Sequence, residues 1–186
     1  AIFSVVNGVL LKPLPYPDAD RLVGVWHTAP GIELPQFEQS DATYLLYRQA
    51  NQVFEDIGIY QQDRVNATGG ERPEELRSAQ VTASILPVLG VTPAIGRGFT
   101  EADERPGAEP VMLLSHELWM SRFGGDRAAV GRTIRIDGVA RTVIGVMPAG
   151  FGFPTPDTLL WQPLTINPEK PNVGSFSYVG IARLKS

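Results

Sequence analysis

Few side chains in this sequence carry catalytic or ligating chemistry, and their spacing limits what they can do. The 186 residues include two histidines, His27 and His116, and no cysteine. The missing thiols exclude disulfide frameworks, thiolate metal sites and cysteine nucleophiles. His116 opens the run His-Glu-Leu-Trp-Met, which begins like the helical zinc-protease motif. That motif needs a second histidine one turn on, and Met120 stands there instead. His116 is therefore expected at a helix start, with Glu117 complementing the helix dipole. No metal, cofactor-binding or catalytic residue is assigned.

Gly124–Thr133 (GGDRAAVGRT) has the glycine content of a phosphate loop but not its order. Five residues separate Gly125 from Gly131, Arg132 replaces the lysine, and the segment precedes a strand instead of following one. It is expected to be a turn that binds no nucleotide. Glu101, Asp103 and Glu104 lack the alternating oxygen ligands and sharp-turn glycine of a calcium loop, which leaves a solvated acidic loop. Ser115 beside His116 is no triad, since triads are assembled by the fold and not by adjacency. Asn66-Ala67-Thr68 matches a glycosylation triplet, a pattern common by chance. Tyr44, Tyr47 and Tyr60 with Trp26 could form a sugar platform, although aromatics at such spacing more often belong to a core.

The elements that position these residues follow from periodicity and breakers. Arg21–Trp26 reads as a strand, Gly31–Ser40 as a polar loop, and Ser40 or Asp41 as the cap of a helix ending near Asn51. Val53–Gln61 and Leu76–Val81 read as strands around a Gly69-Gly70 turn. Ser84–Leu89 reads as a short helix stopped by Gly90. Residues 92–110 look like an irregular crossing between modules. Val111–Leu114 is a buried strand, Ser115 caps a helix, and Trp119 and Phe123 share one of its faces as an anchor. Asp137-Gly138 signals a hairpin whose core face holds Ile134, Ile136 and Val143, with Arg141 snorkelling at its rim. A proline-rich return follows, then a last strand at Tyr178–Leu184.

Hydrophobic residues at 43% and charged residues at 19% describe an ordinary folded chain, and 19 Gly with 16 Pro imply many turns and short strands. A net charge of −4 without a basic run argues against nucleic acid. The opening AIFSVVNGVLL is apolar but shorter than the about 20 residues that span a bilayer. It is either a buried amphipathic segment or the outer end of a membrane helix, and Pro13, Pro15 and Pro17 end it.

SVVNGVLLKPLPYPDADRLV, FEDIGIYQ, LPVLGVTPAIGRGFTEAD, the stretch Val111–Pro148 and YVGIARLK follow one another in an order that resembles the periplasmic core domain of MacB-type ABC-transporter permeases, including the duplicated orphan permeases. The resemblance implies an α+β fold: a porter-like α/β module with an inserted β-rich, sabre-like module. Residues 1–11 would end a membrane span, 12–90 and 169–186 would form the porter-like module, and 91–168 the insert. The implied role is non-catalytic and extracytoplasmic, on the periplasmic side of a bacterial inner membrane. It would couple a cytoplasmic ATPase subunit to a periplasmic adaptor or cargo in efflux and mechanotransmission, with the full permease as a homodimer held in the membrane by flanking spans. No cofactor and no nucleic acid are implied. A small-ligand, lipid or sugar binding module is the alternative.

Overall fold

The structure is a computed structural model and describes residues 15–29, 34–68 and 73–186. The apolar segment 1–11 and the Gly69-Gly70 turn lie outside the described residues. The chain divides into two compact units.

The first unit takes in the chain through Tyr60, Ser84–Val91 and Ile166–Ser186. Its sheet is antiparallel. Strand β1 (Leu22–Val25) pairs with β11 (Val179–Leu184), placing Leu22 opposite Arg183 and Val25 opposite Gly180. The other side of β11 pairs with the first half of β4 (Phe54–Thr68), with Val179 opposite Tyr60. A hairpin of β2 (His27–Ala29) and β3 (Leu34–Phe37) occupies part of the segment expected to be loop. Pro30 and Gly31 between these strands and Pro35 inside β3 hide the alternation that would mark them. Helix α1 (Asp41–Ala50) starts on a capping box: Ser40 Oγ accepts the Thr43 N–H, and Thr43 Oγ1 accepts the Ser40 N–H. Helix α2 (Ile85–Leu89) buries four of its five residues and ends at Gly90, whose φ of 69° suits only a residue without a Cβ penalty. Gly58 on β4 seats α2, because a Cβ there would lie 2.7 Å from Ile85 Cδ1.

The second unit comprises Gln61–Ala83 and Thr92–Thr165. Six strands close on themselves: the second half of β4, then β5 (Glu74–Val81), β10 (Leu160–Pro163), β7 (Val111–Leu114), β9 (Val139–Val146) and β8 (Thr133–Ile136), which returns to β4. Pairs β5–β10 and β7–β9 are parallel, whereas β10–β7, β8–β9 and β4–β8 are antiparallel. The short strand β6 (Ile95–Gly96) adds to the outside of β9. The interior of the ring is filled by every second residue, Val65 and Ala67, Leu76, Met112 and Leu114, Ile134 and Ile136, Val143 and Leu160. Such a barrel is a packed core and not a channel.

Four details differ from the expectations. The second unit extends past 91–168 to include Gln61–Ala83, because Val65, Ala67 and Leu76 complete the barrel interior. Residues 92–110 contain β6, and the proline-rich return contains β10, two apolar strands too short for a period to register. Helix α3 (His116–Phe123) is capped by Ser115 and stopped by Gly124, but its fully buried residue is Leu118, while Trp119 and Phe123 are only partly buried. Leu118 joins the barrel interior, and Trp119 spends its indole N–H on Asp126 O at 2.8 Å.

Candidate functional site

Three places in the two units carry enough concavity or polar chemistry to be weighed. The first is an apolar groove of about 370 Å³ in the first unit, lined among others by Val23, Val25, Trp26, Val53, Phe54 and Leu184. Trp26 and Val53 are 39% and 54% exposed, so the groove opens to solvent. Gly24 lets the indole lie down, since a Cβ there would come 2.9 Å from Trp26 Nε1.

The second is the surround of His27. Gln39 Nε2 donates to Val25 O (2.9 Å), which turns Gln39 Oε1 into the acceptor for Thr43 Oγ1 (3.0 Å) and for His27 Nε2–H (2.9 Å). His27 Nδ1 then accepts from the Tyr47 hydroxyl at 3.1 Å, which fixes the neutral tautomer. The rings of Phe37, Tyr47 and Phe176 stand 5.1, 5.4 and 5.9 Å from the imidazole. Burial lowers the His27 pKa, and the Gln39 hydrogen bond opposes that only in part.

The third is a polar cleft of about 460 Å³ on the second unit, lined by Gln62, Asp63, Arg64, Arg77, Thr155 and Thr158 with Ser78. Thr155 Oγ1 donates to Asp157 at 2.6 Å, and Arg77 Nε meets the same carboxylate at 2.8 Å. These contacts hold the Asp157 carboxyl below its ordinary pKa, the Thr155 hydrogen bond most of all. Arg64 is paired with Glu75 at 3.0 Å. Each guanidinium thus has its own carboxylate, while Asp63 accepts only the neutral Arg64 N–H and Gln80 amide and leaves the cleft a negative charge.

The residues singled out in the sequence are scattered and structurally committed. Ser115 Oγ caps α3 by accepting the Leu118 N–H (3.0 Å), and His116 packs edge-on against Trp119 at 5.5 Å. Gly124–Thr133 forms the helix stop, a single 3-10 turn at Arg127–Ala129, and the lead into β8. Asp103 is clamped by Arg97 at 2.7 and 3.0 Å and by Thr100, and its pKa falls to about 2, chiefly through the Arg97 hydrogen bond. Glu104 is buried and accepts the Ala83 N–H. Asn66 donates its backbone N–H to Asp137 Oδ1 at the hairpin turn. Tyr44 is 1% exposed, with its hydroxyl on Ser84, so the four aromatics form no sugar platform. Arg141 is half-buried with its Nε unpartnered, and desolvation lowers its pKa. Among the described residues no group of three or more His, Asp or Glu side chains is placed to hold a metal ion.

Sequence reasoning passed over Arg21 and Arg183. Arg183 lies inside the apolar run of β11, is 6% exposed, and spends its guanidinium on main-chain carbonyls. An arginine within an otherwise apolar strand was the available signal.

The chain belongs to the MacB-like periplasmic core domain family, whose model matches residues 1–181. Its fold is shared with solved structures of low identity. A domain of a putative permease from Porphyromonas gingivalis has a TM-score of 0.65 at 18% identity, over 91% of this chain and 77% of that one. The periplasmic region of MacB from Actinobacillus actinomycetemcomitans gives 0.62 at 14% identity, over 89% and 74%. The extracellular domain of the noncanonic ABC-type transporter YknZ from Gram-positive bacteria gives 0.55 at 15%, over 81% and 74%. No curated protein matches this chain. Among the described residues no helix is long and apolar enough to cross a membrane.

Proposed function

We propose that this chain is the non-catalytic extracytoplasmic domain of an ABC-transporter permease, coupling a cytoplasmic ATPase to periplasmic partners or cargo by rigid-body motion. The observation that carries the reading is the family match over residues 1–181, joined to side chains spent on caps, pairs and packing. In this reading the first unit is the porter-like module and the closed barrel is the sabre-like module. The full permease is a homodimer in a bacterial inner membrane, and the domain faces the periplasm.

Transport and ATP hydrolysis by the full permease with its ATPase, with and without this domain, test the coupling. Hydrolysis should persist without the domain while transport is lost. Transport that survives the deletion would overturn the reading. Calorimetry of the isolated chain should show no saturable ATP binding.

The apolar groove beside Trp26 supports the second reading, a module for a lipid or small apolar ligand. Saturable quenching of tryptophan fluorescence by lysophospholipid, abolished in Val53→Asp and in Trp26→Phe, would favour it over the first.

A further inference from the structure

In the first unit β1 and β11 run antiparallel with Leu22 opposite Arg183. The stretch Pro15–Arg21 and the stretch Leu184–Ser186 therefore lie at the same end of the ladder. Tension between two such stretches opens an antiparallel pair as a zipper, breaking its hydrogen bonds singly instead of sharing the load among them. This is the weak direction of the sheet.

Two arginines close that end. Arg183 is buried, meets no carboxylate within ion-pair distance among the described residues, and donates to three carbonyls. Its Nε reaches Val88 O in the last turn of α2 at 2.8 Å, Nη2 reaches Pro17 O at 3.0 Å, and Nη1 reaches Asp18 O at 3.3 Å. A cation at a helix C-terminus also meets the negative end of the dipole. Arg21, the last residue of the 3-10 turn that leads into β1, answers from the other side: Nε and Nη2 donate to Leu184 O at 3.0 and 2.6 Å, and Nη2 also pairs with Glu55 at 2.6 Å. Asp18 sits in the left-handed region at φ 46°, and its carbonyl receives both the Arg21 N–H and Arg183. Gly90 leaves room, since a Cβ there would stand 3.4 Å from both Arg183 Nη2 and Pro17.

We propose that Arg21 and Arg183 form a reciprocal clasp that keeps β1 and β11 from peeling when the entering and leaving chains are pulled apart. Each arginine grips the other strand's terminal backbone, so the ladder cannot begin to open until both grips have failed. Hydrogen bonds from a charged donor are stronger than the neutral ladder bonds behind them, which places the highest barrier at the start of the path. The proposal goes beyond the coupling function above and does not depend on it, because it concerns only how this unit bears tension.

Single-molecule pulling on the whole chain tests it, and the absence of native cysteine allows handles at chosen points. One pair, Pro15→Cys with Ser186→Cys, loads the clasp. A second pair, Leu46→Cys with Val173→Cys, attaches at exposed residues outside the clasp. Arg183→Lys keeps the charge but cannot reach three carbonyls, and Arg21→Gln changes a more exposed side chain and protects the test if Arg183→Lys fails to fold. Either substitution should raise the unfolding rate at fixed force about tenfold or more along the first direction, and much less along the second. An equal rise along both directions would mean a merely structural role and would overturn the proposal, as would no rise along the first.

Discussion

The two units solve the edge problem of β-structure in opposite ways. The barrel in the second unit removes its edges by closing six strands, and its interior is filled by alternating side chains. The first unit keeps a short open antiparallel sheet with an apolar groove on it, and it is pinned by polar contacts: two arginines, a capping box and the Gln39–His27–Tyr47 chain. A closed ring gains most of its stability from packing, which is indifferent to pH near neutrality. An open sheet held by hydrogen bonds is responsive to charge. Stability of the second unit should therefore follow side-chain volume, and that of the first should follow protonation and polar substitution.

The sharpest test removes volume from the ring. Leu114→Ala and Leu118→Ala should each cost about 2–5 kcal/mol, as truncation of buried leucines does, read as the loss in urea midpoint. Trp119→Ala should cost less than Leu118→Ala, because Trp119 only flanks the core. The reverse order would return the anchoring role to the aromatic face. A smaller effect is expected from acid. The folded His27 pKa lies below its ordinary 6.5, so the unfolded chain takes up the proton first. Its contribution is complete above 6.5 and declines as pH falls below that value. Thermal melts from pH 7.5 to 5 should show the first unit losing stability, and His27→Gln should flatten the slope. If the slope persists, His27 is not its source.

A third test sets an acid limit on the barrel unit. Asp103 titrates at about 2 instead of 3.8, so its contribution is present above 3.8 and is lost as pH falls towards 2. Asp103→Asn should lower stability at neutral pH, where the ionised carboxylate is clamped by Arg97, and should flatten that component of an acid melt. The smallest effects are predicted for the surface: His116→Ala and Val53→Ser should stay within about 0.5 kcal/mol of the parent. A larger loss in His116→Ala would give that side chain a role that its edge contact with Trp119 does not explain.

Local features were legible wherever a breaker or a cap marked them. Ser40, Ser115, Gly90, Gly124 and the Asp137-Gly138 turn all stand where their chemistry places them. Val111–Leu114 is buried at all four positions, as its unbroken apolar run implies. Closure of the ring was not legible, because pairing of Ala67 with Ile136 joins residues far apart and leaves no periodic trace in either strand. The alternation in strand β4 ends at Gln61, where Gln62-Asp63-Arg64 interrupts it, yet the backbone stays extended to Thr68. Weak sites were hard to find for a related reason. The His27 surround draws on β2, β3, α1 and the 172–178 segment, and no spacing rule connects His27 with Phe176.

Ring closure also sets a timetable. The barrel needs β4 and β5 from residues 61–81, three strands from 111–146 and, last, β10 at Leu160–Pro163, which is inserted between β5 and β7. As the chain emerges from its amino end, β5 must wait roughly 80 residues for its neighbour, a delay of several seconds at ordinary synthesis rates. During that interval β5 and β7 hold unpaired flanks and bare interior side chains, the condition in which strands find wrong partners. The finished unit is among the least adhesive of β-structures, yet its precursor is expected to be among the most, so chaperone dependence should end abruptly once Pro163 has been delivered.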